Sequence, residues 1–113
     1  GAEATAQAQA ATAALWGRGD LRELSAGTLA AATVSLPATE LVVGESTVVD
    51  LLVGAGLERG RNAARKTVAA GGAYLNNVKV TDQEATVGAD DLLAGGVVLV
   101  RKGRRTLAVA RAA

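Results

Sequence analysis

The chain is 113 residues long, enough for one compact domain, and half of its residues are hydrophobic. It contains no cysteine and no histidine, which excludes a disulfide framework, a cysteine- or histidine-based zinc site and a thiol nucleophile. The formal net charge of +1 conceals a sorting of charge along the chain. Residues 1–58 carry 2 basic and 7 acidic side chains, a net −5, whereas residues 59–113 carry 10 and 4, a net +6. This asymmetry indicates a local site for a polyanion in the second half.

Four helices are predicted from composition and apolar spacing, over residues 2–16, 25–32, 48–55 and 61–70. Ser25 can cap the second of them, and Thr47 with Asp50 fits the capping-box pattern at the start of the third. The first helix consists mostly of alanine and other small side chains, so it has little to bury. We expect Trp16 to anchor it in the core.

The remaining segments indicate strands and turns. Residues 34–36 are expected to run extended into a proline, which disfavours helix before it, and a short strand is expected at 41–43. Two hairpins are predicted, with strands over 73–75, 78–80, 97–102 and 104–110. Asn76 and Asn77 form the first turn, because asparagine tolerates the left-handed conformation that a two-residue hairpin turn requires. The predicted fold is therefore α+β, with helices packed on a small, mostly antiparallel sheet.

The clearest functional signal is a pair of basic clusters. The helix cluster consists of Arg59, Arg61, Arg65 and Lys66. The hairpin cluster consists of Arg101, Lys102, Arg104 and Arg105. Arg61 and Arg65 lie four residues apart on one helix face, where like charges repel, and we expect no internal carboxylate to relieve them. An anionic partner such as nucleic-acid phosphate would relieve that repulsion.

Each cluster taken alone could be an ordinary solvated face, but the two together favour RNA or DNA binding. The only aromatic residues are Trp16 and Tyr74, so recognition should rest on phosphate, shape and ribose contacts. Tyr74 could stack on a base or pack on the sheet. Asn76 and Asn77 could contact RNA, although a role in the turn is favoured, and Lys79 adds a cation on the first hairpin.

The central stretch resembles the alpha-L RNA-binding motif of the ribosomal-protein-S-four-like superfamily. The matching motifs are Gly56-Leu57, Ala64-Arg65-Lys66, Gly71-Gly72 and Asn76-Asn77. Two positions depart from that motif: Gly60 replaces the usual helix-capping serine, and Lys66 replaces a second arginine. Upstream, Leu15-Trp16-Gly17-Arg18-Gly19-Asp20-Leu21 resembles the segment that follows the catalytic body in bacterial tyrosyl-tRNA synthetases.

This resemblance implies a non-catalytic, RNA-binding domain over residues 21–113, preceded by a linker helix over residues 1–20. It implies a grip on the anticodon stem and long variable arm of tyrosine tRNA. It implies no cofactor in this fragment, because ATP and tyrosine would bind a catalytic domain outside it, through which the parent enzyme would form a homodimer. A cytoplasmic location and no membrane partner are expected. The residues implied to face RNA are Arg59, Arg61, Arg65, Lys66, Tyr74, Asn76, Lys79, Arg101, Lys102, Arg104 and Arg105.

Two other interpretations remain open from the sequence. The first is an RNA-binding domain associated with the ribosome or with a pseudouridine synthase. The second is a protein-interaction or dimerisation module that uses the alanine-rich helix over residues 2–16. A hydrolytic enzyme is disfavoured, because the serines of the chain have no evident general base.

Overall fold

A computed structural model describes residues 13–17 and 20–113 of the protein. The helices are α1 (Ala26–Thr33), α2 (Val48–Gly54) and α3 (Arg61–Ala69), with short 3-10 turns at Leu21–Glu23 and Ala89–Asp91. The strands are β1 (Ala38–Leu41), β2 (Ala73–Leu75), β3 (Val78–Val80), β4 (Val97–Lys102) and β5 (Thr106–Ala112). Residues 13–15 are helical, Trp16 lies in a turn, and residues 2–12 of the predicted first helix lie outside the described residues. Within the described ranges, no helix has the length and apolarity that a membrane span needs.

The five strands form one sheet in the order β1-β5-β4-β2-β3. Only the β1–β5 pair is parallel, and the other three pairs are antiparallel, which confirms the predicted α+β fold. The first hairpin turns at Asn76 and Asn77 with φ of 49° and 68°, the left-handed conformation expected of them. The second hairpin turns around Gly103, also at positive φ.

Two predictions in the segment between α1 and α2 are wrong. Val34 is helical in conformation (φ −58°, ψ −32°) and the Leu36 amide donates to the Thr33 carbonyl at 3.0 Å, so residues 34–36 form a turn rather than an extended run. The strand lies at Ala38–Leu41 rather than 41–43, because its register is set by β5: Ala38 pairs with Val109. A proline restricts chiefly the residue immediately before it, which leaves the preceding turn free to form.

The two central strands of the sheet, β4 and β5, are largely buried on both faces. On one face, α2 and α3 supply Leu51, Leu52, Ala64 and Val68 to a cluster with Val98, Val100, Ala108 and Ala110. On the other face, Ala14, Leu15, Leu21, Leu24 and Leu29 pack against Val97, Leu99, Leu107 and Val109. Strand β4 is therefore apolar on both sides, as expected for a strand covered on both faces. Trp16 is half-buried against the second cluster, which confirms its predicted anchoring role.

Local contacts explain where α2 begins and ends. Thr47 Oγ1 accepts from the Asp50 amide at 3.1 Å and Asp50 Oδ2 accepts from the Thr47 amide at 2.9 Å, which confirms the predicted capping box. At the far end, a Cβ on Gly54 would lie 2.5 Å from Thr39 Oγ1. The end of α2 thus approaches β1 at a distance that only glycine permits.

Candidate nucleic-acid interface

Helix α3 presents three members of the helix cluster to solvent, and the fourth, Arg59, is exposed in the loop just before the helix. Its buried face consists of Ala64 and Val68, both 0% exposed, whereas Arg61, Arg65 and Lys66 are exposed. The helix begins after Gly60, which provides no side-chain cap, as the departure from the motif predicted. Its first amide groups therefore add a partial positive charge to the same surface.

Arg61 has an internal partner that the sequence did not reveal. Its Nη1 atom lies 2.5 Å from Asp50 Oδ1, so the expectation that no carboxylate relieves this cation is wrong. Asp50 stands eleven residues earlier and reaches Arg61 only because α2 packs against α3. The Thr47 backbone hydrogen bond, followed by that of Arg61, lowers the pKa of the Asp50 carboxyl against the opposing effect of burial.

The rest of the helix cluster remains uncompensated. Arg59, Arg65 and Lys66 are exposed, and within the described part of the chain none of them forms an ion pair. Arg65 follows Arg61 by one helical turn, so the two guanidinium groups lie on the same side of α3.

In the hairpin cluster, Lys102 is tied to the body of the domain. Its Nζ forms an ion pair with Glu58, whose side chain is only 8% exposed. Thr67 Oγ1 donates to the other Glu58 oxygen at 2.6 Å, so one carboxylate links β4 to α3. The hydrogen bond from Lys102, followed by that from Thr67, lowers the pKa of Glu58. The main role of Lys102 is therefore structural, because its ion pair joins the hairpin cluster to the body of the domain.

Tyr74 and Arg101 form a stacked pair on the opposite side of the sheet from α3. They are register partners on β2 and β4, and Arg101 Cζ lies 4.4 Å from the centre of the Tyr74 ring. Lys79 is the partner of Tyr74 on β3 and shares that side. The predicted residues therefore occupy two sides of the sheet rather than one continuous face, because side chains alternate along a strand.

Asn76 and Asn77 hold the first hairpin in place. Asn76 donates from Nδ2 to the Asp91 carbonyl at 2.6 Å and accepts from the Leu99 amide at 2.9 Å. Asn77 Nδ2 donates to the Ala14 carbonyl at 2.7 Å, which ties the hairpin to the N-terminal segment. The turn role is confirmed for both residues, and contact of Asn76 with RNA stays a prediction. Arg104 and Arg105 are exposed at the tip of the second hairpin.

A cleft of about 530 Å³ opens beside the helix cluster. Its lining residues are Thr47, Val49, Arg61, Arg65, Gln83 and Glu84. The loop that carries Gln83 and Glu84 is joined to the start of α2 by a bridge between Thr47 and Thr86. The sequence does not reveal this part of the cleft, because no periodicity or motif connects the exposed loop of Gln83 and Glu84 to helices that precede it in the chain.

A small α+β domain with exposed cations on one helix and on a hairpin tip, and with very few aromatic residues, is typical of a nucleic-acid-binding module. Residues 28–110 match the family described as the tyrosine–tRNA ligase SYY-like C-terminal domain. The chain therefore belongs to the family of C-terminal domains of tyrosine–tRNA ligases, as the resemblance implied.

Relatives and a solved structure agree with this assignment. The chain is 46% identical over 108 residues to the tyrosine–tRNA ligase of Streptomyces coelicolor, covering 96% of this chain and 25% of that protein. For the ligase of Corynebacterium jeikeium the identity is 42% over 111 residues, covering 98% and 26%. A solution structure of a tyrosyl-tRNA synthetase C-terminal domain superposes with a TM-score of 0.64 at 27% identity, over 84% of this chain and 96% of that one. The chain thus spans about a quarter of the length of these ligases.

Proposed function

We propose that this chain binds tyrosine tRNA as the C-terminal domain of a tyrosine–tRNA ligase. It contacts the anticodon stem and the variable arm through their phosphates. The observation that carries the proposal is the exposure of Arg65 and Lys66 on α3, with no ion-pair partner among the described residues, in a member of this family. Each cation that neutralises a phosphate releases condensed counterions, which makes binding favourable and dependent on salt.

The domain contributes affinity, and the chemistry lies elsewhere in the ligase. In this proposal ATP and tyrosine bind the catalytic part outside this chain, which also forms the homodimer, and the whole enzyme acts in the cytoplasm. A tethered second site raises the overall affinity for tRNA because the second contact becomes intramolecular. The exposed cations Arg59, Arg65, Lys66, Arg104 and Arg105 supply most of the phosphate contacts, and the paired Arg61 and Lys102 supply fewer.

The test is binding of the 113-residue chain to a tyrosine tRNA transcript, with and without its variable arm, across a salt series. We expect tighter binding to the intact tRNA and a steep loss of affinity with salt. Arg65→Ala should reduce the salt slope by about 1, as expected for the loss of one phosphate contact. Arg111→Ala is the matched control, because Arg111 is exposed at the end of β5 away from the hairpin tip.

Equal and weak binding to both transcripts would contradict the proposal, since it would mean that the basic surface binds polyanions without preference for tyrosine tRNA. An Arg65→Ala variant with the affinity and slope of the unmodified chain would contradict the role of α3.

A further inference from the structure

We infer that the cleft beside α3 takes one unpaired nucleotide of RNA, with its phosphate on Arg61 and Arg65 and its base edge on Gln83 and Glu84. The inference rests on the proposed function, which it refines by adding a base-reading site to a surface of phosphate contacts. Phosphate contacts position an RNA, whereas contacts to base edges distinguish one sequence from another.

The two walls of the cleft differ in chemistry. Arg61 and Arg65 line the cleft on the side of α3, and Gln83 and Glu84, an amide and a carboxylate, line it on the side of the loop that follows β3. The volume of about 530 Å³ lies within the range of sites that hold small organic ligands. A base stacked inside a duplex cannot enter such a cleft, so the occupant is a nucleotide that is free of its helix.

The wall with Gln83 and Glu84 has an anchored backbone. The Val48 amide donates to the Ala85 carbonyl at 3.1 Å, and the Val87 amide donates to the Ser46 carbonyl at 2.8 Å. Within the loop, the Glu84 amide donates to Asp82 Oδ1 at 2.9 Å. The side chains of the wall therefore project from a backbone that is already ordered, which lowers the entropic cost of binding.

The phosphate wall is ordered as well. Asp50 holds the Arg61 guanidinium at 2.5 Å, and a guanidinium has further N–H donors that remain for a phosphate. Arg65 stands one turn further along the same side of α3. Two guanidinium groups on one side of a helix can donate to the same phosphate group. Such charge-assisted hydrogen bonds, bidentate where geometry allows, are stronger than hydrogen bonds between neutral groups.

The opposite wall favours a base with an exocyclic amino group. Gln83 can donate and accept at once, as in the paired hydrogen bonds that glutamine makes to adenine. Glu84 when ionised only accepts, so it suits an amino group and repels a phosphate that enters the cleft alone. Adenine satisfies both side chains, and uracil, which lacks an amino group, does not.

The test uses three RNA hairpins of identical stem sequence: fully paired, with one bulged adenosine, and with one bulged uridine. The 113-residue chain should bind the adenosine bulge about tenfold more tightly than the paired stem, which is the discrimination that one good base contact provides. Gln83→Ala should abolish this preference and leave the salt slope unchanged. Thr81→Ala is the matched control, because Thr81 is exposed in the same region but does not line the cleft.

Glu84→Gln is expected to raise the affinity for the paired stem and to narrow the difference between adenosine and uridine bulges. Glu40→Gln removes one exposed carboxylate on β1 and serves as its control. Equal binding to all three hairpins would overturn the inference, as would a Gln83→Ala variant that keeps the adenosine preference or loses salt slope. These results are distinguishable from failure of the proposed function, which would appear as tRNA binding that is weak or insensitive to Arg65→Ala.

Discussion

The two basic clusters look alike in the sequence and differ in the fold. In the helix cluster one cation of four, Arg61, is paired with a carboxylate, and the others are exposed without an ion pair among the described residues. In the hairpin cluster Lys102 is paired with Glu58 and Arg101 is stacked on Tyr74, both partly buried, whereas Arg104 and Arg105 in the turn are exposed. A count of positive residues therefore overstates the charge available to a ligand, because some of that charge already stabilises the domain.

Substitution of Glu58 should give the largest effect. Glu58→Ala removes the nearly buried carboxylate that accepts from Thr67 Oγ1 and pairs with Lys102, and we expect a loss of about 1–3 kcal/mol in the free energy of unfolding. Urea unfolding at neutral pH measures this loss. Glu45→Ala, at an exposed loop position, is the control and should change stability by less than about 0.5 kcal/mol. Similar losses for both variants would mean that the hairpin cluster is not fixed by Glu58.

Acid should weaken the same contacts by a smaller amount, because a protonated carboxyl can still accept a hydrogen bond. The pKa values of Glu58 and Asp50 are lowered in the folded state, so both groups stabilise the fold above their unfolded pKa values. That contribution is lost as the pH falls below roughly 4, through the folded values. Unfolding curves across the acid range should fall less steeply for Glu58→Gln than for the unmodified chain. Parallel curves would contradict this role of Glu58.

Arg101 and Arg104 give the smallest effects and the sharpest contrast. Arg101→Ala removes a cation–π contact and should cost about 0.5–1 kcal/mol of stability. Arg104→Ala should leave stability unchanged and reduce the salt slope for tRNA by about 1. We expect Arg101→Ala to reduce that slope by less, since the half-buried guanidinium is already engaged with Tyr74. The reverse order of slopes would show that the stacked pair, rather than the turn, meets the phosphates.

Local signals in the sequence predicted much of this fold. The capping box of Thr47 and Asp50, and the turn at Asn76 and Asn77, depend on residues within a few positions of one another, and the structure contains both. The predicted position of β1 was wrong because the bounds of this strand depend on a parallel partner far along the chain.

In the candidate site, too, local sequence signals predict some features, and others depend on how distant elements pack. The cations of α3 and of the hairpin tip were identified from their spacing and are exposed where expected. The pairing of Arg61 with Asp50 and of Lys102 with Glu58 depends on how the elements pack, and so does the placement of Gln83 and Arg65 around one cleft. No spacing rule relates residues that meet only in the folded domain.

The parallel pairing of β1 with β5 also constrains how the domain is made. Strand β5 lies between β1 and β4. Until residues 106–112 have paired with both, β1 is separate from the rest of the sheet. A ribosome synthesises these residues after all the other described elements, and they must leave its exit tunnel before β1 can find its partner. The sheet can therefore form completely only after β5 has been synthesised. Helices α2 and α3 are adjacent in sequence and pack together, so they can associate during translation.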